Sequence, residues 1–266
     1  MEIAFTDIEY VYHCAALISF DPKDEDALRK TNIEGTANMV NFSIARNIKK
    51  FCFVSSIAAL GDLAAHETYI TEETDWNPEK PHSDYAISKY GAEMEVWRGL
   101  QEGLDVIIIN PGVILAPIAV AKIFNQGSTE LYSRVANGLS FYTLGSTGFI
   151  TANDVVKIGF ELMKSNIKNE RFTLIAENII FKDILNTIAE ALNAKRPTIH
   201  ATPLFMNFLW TANWISSILF FQKRSITKAT AKASYSTNLY SNEKIKTALG
   251  TVFYDVHQYV KEVSKL

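Results

Sequence analysis

The run Asp105-Val106-Ile107-Ile108-Ile109-Asn110-Pro111-Gly112 limits the possible folds more than any other stretch of the chain. A strand with one face in water alternates apolar and polar side chains. A strand covered on both faces by helices does not, and that is the pattern of parallel sheets. Val106 to Ile109 shows no alternation, and Pro111-Gly112 closes the run with a turn. Lys49-Lys50-Phe51-Cys52-Phe53-Val54-Ser55-Ser56 reads the same way, as a short apolar strand finishing in two hydroxyls. Open α/β sheets hold their ligands at the carboxyl ends of their strands, so Ser56 and the Pro-Gly turn are expected at one crevice. With 266 residues, 48% of them hydrophobic, the chain has material for one large domain or a domain with a smaller lobe.

Between these strands lies Ser83-Asp84-Tyr85-Ala86-Ile87-Ser88-Lys89. On a helix, residues four apart rise from one face about 6 Å from each other, so Tyr85 and Lys89 are neighbours. A free phenol, with its pKa near ~10, is a poor acid or base at neutral pH, and a cation beside it favours the phenolate and lowers that value. Lys89 is the candidate cation. The same spacing also describes an ordinary exposed pair on an amphipathic helix, and taken alone it leaves both readings open.

Composition removes some function classes. A net charge of -3 and no basic run with interleaved aromatics leave no footprint for nucleic acid. Cys14 and Cys52 both fall in expected buried strands and read as reduced core thiols of a cytoplasmic protein. The five histidines are scattered without cysteine or carboxylate partners at ligand spacing, so no metal site is expected.

Taken in order, Ile8 to Ala16 reads as the first strand, and Asp24 to Asn47 as a helix with Ile33, Ala37, Val40 and Ile44 on one side. Gly35 suits a close approach of that helix to the sheet, and His13 a hydrogen bond to local backbone. Residues 57–81 read as a surface loop over the site. Gly145-Ser146-Thr147-Gly148-Phe149 imitates a dinucleotide fingerprint but has no third glycine and no following helix of the right kind. Asp154 reads as a helix N-cap. Residues 204–221 form an apolar stretch that almost reaches bilayer length, but Asn207, Thr211, Asn213, Ser216 and Ser217 interrupt it, which argues against a membrane span.

Together these features resemble an extended short-chain dehydrogenase/reductase of the NAD-dependent epimerase/dehydratase kind, dihydroflavonol-reductase-like. The resemblance runs from Val11 to the end. It rests on Val11 to Ala16, Asn32 to Asn38, Phe51 to Ser56, Tyr85 to Lys89, Asn110 to Val113 and Phe149 to Val156. It implies a Rossmann-like, doubly wound parallel sheet over residues 1–160, N-terminally incomplete, and a smaller substrate-covering lobe over 161–266 with some elements interleaved and residues 204–221 as its apolar lid.

It implies Ser56, Tyr85 and Lys89 as the catalytic group, and NAD or NADP held by Cys14, Ala15, Ala16, Leu17, Asn32, Ser55, Tyr85, Lys89, Pro111 and Val113. The expected activity is reduction of a carbonyl or oxidation of an alcohol on a small apolar or ring-shaped substrate. The rivals are a nucleotide-sugar epimerase of the same family and a truncated, non-catalytic remnant. Ile57-Ala58-Ala59 after Ser56 disfavours a dehydratase, which carries an Asp-Glu pair there. The family's opening glycine-rich turn has no counterpart, a gap of roughly 50 to 60 residues, so cofactor binding is expected to be weak or lost. A homodimer, common in the family, is kept open.

Overall fold

The computed structural model describes residues 2–117, 129–206, 208, 210–211 and 227–264. In chain order the strands are β1 (Tyr10–His13), β2 (Lys50–Val54), β3 (Val106–Pro111), β4 (Val113–Leu115), β5 (Phe141–Tyr142), β6 (Ser146–Thr151), β7 (Glu170–Leu174), β8 (Glu177–Ile180) and β9 (Ile199–His200). The principal helices are α1 (Glu25–Leu28), α2 (Gly35–Ala45), α3 (Asp84–Gln101), α4 (Thr129–Ala136), α5 (Ala152–Lys164), α6 (Phe181–Ala191), α7 (Lys228–Tyr235), α8 (Glu243–Leu249) and α9 (Val256–Val263). They divide into two units that interleave along the chain: residues 1–112, 153–174 and 241–252, and residues 113–152, 175–240 and 253–266.

The first unit is built on a parallel sheet in the order β1-β2-β3-β7. Its two apolar runs are the central strands, as their lack of alternation requires, and all six residues of β3 are buried. Helices lie on both faces. Val40 of α2 and Ala92 and Val96 of α3 pack on Phe51, Phe53, Val106 and Ile108. On the opposite face Gly159 of α5 meets Ile109, and Lys50 Nζ donates to the carbonyls of Leu162 (2.6 Å) and Ser165 (3.0 Å) at the end of α5. Those two bonds account for a buried lysine at the start of a strand, because they satisfy carbonyls at the helix end.

Several local expectations are corrected. The first strand covers only Tyr10–His13; Cys14 to Ala16 run on as exposed, irregular chain, so Cys14 is exposed and only Cys52 is a core thiol. The helix expected over 24–47 contains a π-helical segment, Arg29–Glu34, between α1 and α2. Close helix packing does not depend on Gly35, whose added Cβ would have room. It depends on Gly91 and Gly99 of α3, where a Cβ would come within 2.7 Å of Ile33 and 2.6 Å of Val40. Asp154 lies inside the first turn of α5 and does not precede it. The strand β1 is a sheet edge, and its Tyr10 and Tyr12 side chains are exposed.

The second unit holds β4 parallel to β6, β6 antiparallel to β8, and the pair β5-β9. Leu115, Phe149, Ile184, Ile188, Val256 and Val260 form its core. The stretch that imitates a dinucleotide fingerprint runs into β6, and a Cβ at Gly148 would collide with Ile175, so that glycine serves packing. Most of the 204–221 run falls outside the described residues. Among those described, no helix is long and apolar enough to cross a membrane.

Candidate active site

The site stands at the carboxyl end of β2. The strand ends at Val54, and Ser55 N–H still donates to Ile109 O (2.8 Å), so the chain stays in register with β3 for one more residue. Ser56 then opens a short 3-10 turn over Ile57–Ala59, with its Oγ accepting from Ala58 N–H at 3.1 Å. This capping bond fixes the rotamer of the hydroxyl. Ser56 O in turn accepts from Asn110 Nδ2 at 2.9 Å.

Ser83 caps α3 through a bond from Ala86 N–H, which starts the helix one residue before Tyr85. The Tyr85 ring meets Phe20 edge-on at 5.6 Å between centroids. Burial pushes the phenol above its usual pKa, and a hydrogen bond with the Ser56 side chain opposes that shift. One turn on, Lys89 is almost wholly buried. Its Nζ donates to Val54 O at 2.8 Å and lies 4.5 Å above the Phe53 ring. Burial lowers the ammonium pKa to about 8, against the opposing charges of Glu93 and Cys14. The expectation that Lys89 pulls the phenol down is therefore not met in the free chain: Ser56 supplies the lowering influence on Tyr85, and the lysine is anchored to the strand backbone.

The other expected cofactor residues divide. Cys14, Ala15 and Ala16 present exposed, small-residue chain at the end of β1. Asn32 is buried beneath them: its Oδ1 accepts from Leu17 N–H (2.7 Å), and its Nδ2 donates to Leu17 O (3.0 Å) and Ser88 Oγ (2.9 Å). Its side chain is thus committed to shaping the loop and tying it to α3. Ser55 and Pro111 are buried at the ends of their strands, and Val113 opens β4 in the second unit.

His13 does not bond to local backbone; its Nε2 shares a 2.9 Å hydrogen bond with Thr36 Oγ1 on α2. Burial, with a smaller effect from Lys89, lowers its pKa from 6.5 to about 4. As pH falls from 6.5 towards 4, the unfolded chain takes up a proton that the folded chain refuses, so stability declines across that window. The loss is on the order of 3 kcal/mol and is complete below both values. Urea unfolding of His13→Asn is expected to show a flatter pH dependence between pH 4 and 6.5; a slope equal to that of the unaltered chain would contradict the assignment.

Sequence reasoning missed a buried carboxylate. Glu93, wholly buried on α3, accepts from Asn110 Nδ2 (2.6 Å) and pairs with Arg171 Nη1 (3.1 Å). Its position four residues after Lys89 was the available signal. A separate cavity of about 390 Å³ in the first unit is walled by Trp76, Tyr90, Trp97, Glu72, Asp75 and Arg171, and Ser56, Tyr85 and Lys89 are not among its lining residues.

Fold and site together define an α/β protein on a parallel sheet, with a serine, a tyrosine and a lysine gathered at one strand end. The NAD_binding_4 family model, described as male sterility protein, matches residues 1–156, and the chain belongs to this family of extended short-chain dehydrogenase/reductase proteins. The chain is 27% identical over 207 residues to sterol demethylase protein B of Methylococcus capsulatus, covering 76% of this chain and 61% of that one. It is 27% identical over 208 residues to a putative dihydroflavonol 4-reductase of Synechocystis, covering 75% and 59%. It thus spans about three-fifths of the length of these curated relatives. The crystal structure of Thermus thermophilus UDP-glucose 4-epimerase in complex with NAD superposes with a TM-score of 0.71 at 17% identity, over 99% of this chain and 79% of the other, a likeness of fold.

Proposed function

We propose that this chain carries the proton-transfer half of an NAD(P)-dependent oxidoreductase that interconverts a carbonyl and an alcohol on a small apolar or ring-shaped substrate. What carries the reading is the convergence at one strand's carboxyl end of the Ser56 side chain, the half-buried Tyr85 phenol on which it acts, and the buried Lys89 one helical turn further along α3.

The residues present fit the nicotinamide end of a dinucleotide: exposed small-residue backbone at Cys14 to Ala16, held in shape by Asn32, lies at the end of the strand beside β2. No glycine-rich strand-turn-helix for a pyrophosphate occurs among the described residues. When bound, the nicotinamide supplies or accepts the hydride. The protein's part is proton chemistry. The Tyr85 hydroxyl gives a proton to the substrate oxygen during reduction or takes one during oxidation, and the Ser56 hydroxyl hydrogen-bonds that same oxygen. Lys89, charged in most molecules at neutral pH with a pKa of about 8, keeps a positive field beside the end of β2. His13, neutral above about pH 4, adds no competing charge.

Removing the Ser56 hydroxyl removes the influence that opposes the burial shift on Tyr85. Ser56→Ala is expected to raise the Tyr85 titration midpoint, read by phenolate absorbance, and to cut turnover by about 10²-fold. An unchanged midpoint with full turnover would defeat the reading. The direct test is deuteride transfer from 4-deuterated NADH or NADPH to a panel of apolar ketones, read by mass spectrometry. Deuterium at the carbinol carbon supports the oxidoreductase; turnover confined to UDP-sugars would favour the epimerase instead.

A further inference from the structure

Glu93 has no packing reason to be where it is. A carboxylate removed from water is costly unless every oxygen finds a donor, and an apolar side chain would fill the same space under α3 without that cost. Here the donors come from separate strands: Asn110 Nδ2 of β3 reaches Oε1, and Arg171 Nη1 of β7 reaches Oε2. Arg171 is itself held, since its Nη2 donates to the Glu72 carbonyl and the Glu72 carboxylate accepts from Thr173 N–H at 2.6 Å. Asn110 donates its other proton to Ser56 O. An unbroken chain of bonds thus runs Glu72, Arg171, Glu93, Asn110, Ser56, and in it the Glu93 carboxylate joins Arg171 of β7 to Asn110 of β3.

We propose that Glu93 is a positioning residue: its carboxylate locks Asn110 onto the Ser56 carbonyl and so fixes the Ser56 hydroxyl against Tyr85, while presenting its negative charge to the Lys89 ammonium. This rests on reading Ser56, Tyr85 and Lys89 as the proton-transfer group. It adds a residue that touches neither substrate nor cofactor in that reading. Burial pushes Glu93 up, and Ser55, Arg171 and Asn110 oppose the shift by favouring its charged form. The groups around Lys89 are His13 and Cys14 from the end of β1, Phe53 and the Val54 carbonyl from β2, and Glu93 on its own helix. Those around Tyr85 are Ser56 and Phe20.

The test is the titration of two groups in Glu93→Gln, a change that preserves volume: the Lys89 ammonium by nitrogen NMR and the Tyr85 phenol by carbon NMR. Loss of the carboxylate charge is expected to lower the Lys89 midpoint from about 8 by roughly one pH unit. Release of Ser56 is expected to raise that of Tyr85. A merely structural role gives the opposite signs, because loosening admits water, which raises a lysine depressed by burial and lowers a phenol elevated by it. Opposite shifts, or none, overturn the proposal. Asn110→Ala, which cuts the chain of bonds but keeps the charge, is expected to raise Tyr85 and leave Lys89 in place; an unmoved Tyr85 there also overturns it, should Glu93→Gln fail to fold. Neither readout needs turnover. A Tyr85→Phe variant that stayed active would strike the functional reading instead and leave these shifts to stand or fall alone.

Discussion

Tyr85→Phe is expected to lower turnover by about 10²- to 10⁴-fold while the chain stays folded. The ring that meets Phe20 is retained, the Ser83 cap and the α3 backbone are unaffected, and only the hydroxyl that exchanges a hydrogen bond with Ser56 is lost. The substitution removes the proton that a developing alkoxide needs and puts nothing in its place. Steady-state rates beside circular dichroism and urea unfolding separate loss of chemistry from loss of structure. A rate within about tenfold of the unaltered chain, with normal stability, would exclude Tyr85 as the acid or base.

Phe53→Ala is expected to destabilise the first unit by about 3–5 kcal/mol. Phe53 is fully buried in β2 and packs with Phe51, Val96 and Ile108 beneath α3, so its removal leaves a cavity that the flanking strands cannot collapse into without breaking register. The same ring lies 4.5 Å under the Lys89 ammonium and stacks at 5.5 Å on His13. Its loss therefore removes a cation–π contact. It also admits water to the lysine, and the Lys89 midpoint is expected to rise from about 8 towards its ordinary value. Denaturant unfolding gives the first quantity and NMR titration the second. A cost under about 1 kcal/mol would mean that the core of the first unit is not centred on this strand.

What could be read from the chain alone was what local physics fixes. Val106 to Ile109 and Phe51 to Val54 have no polar alternation, and both are central parallel strands. Tyr85 and Lys89 share a helix turn because four residues span one. The first strand stops at His13 although Cys14 to Ala16 are as apolar as a strand, and the Asn32 side chain, fifteen residues further along, binds the loop at Leu17 through both its oxygen and its nitrogen. The anchoring of Lys89 on Val54 and the partners of Glu93 depend on residues from three strands that no spacing rule connects. The interleaving of the two units escapes composition for the same reason, since it is set by which strands pair.

The central claim is that a nicotinamide ring belongs beside Cys14 to Leu17, Ser56, Tyr85 and Lys89. Intermolecular nuclear Overhauser effects between NADH or NADPH and the methyl- and tyrosine-labelled chain test it directly, and they remain readable when binding is weak. The expected result is contact from the nicotinamide protons to the Ala15 and Ala16 methyls and to the Tyr85 ring. Contacts confined to the Trp76, Tyr90 and Trp97 cavity, or none to any part of the chain, would contradict it.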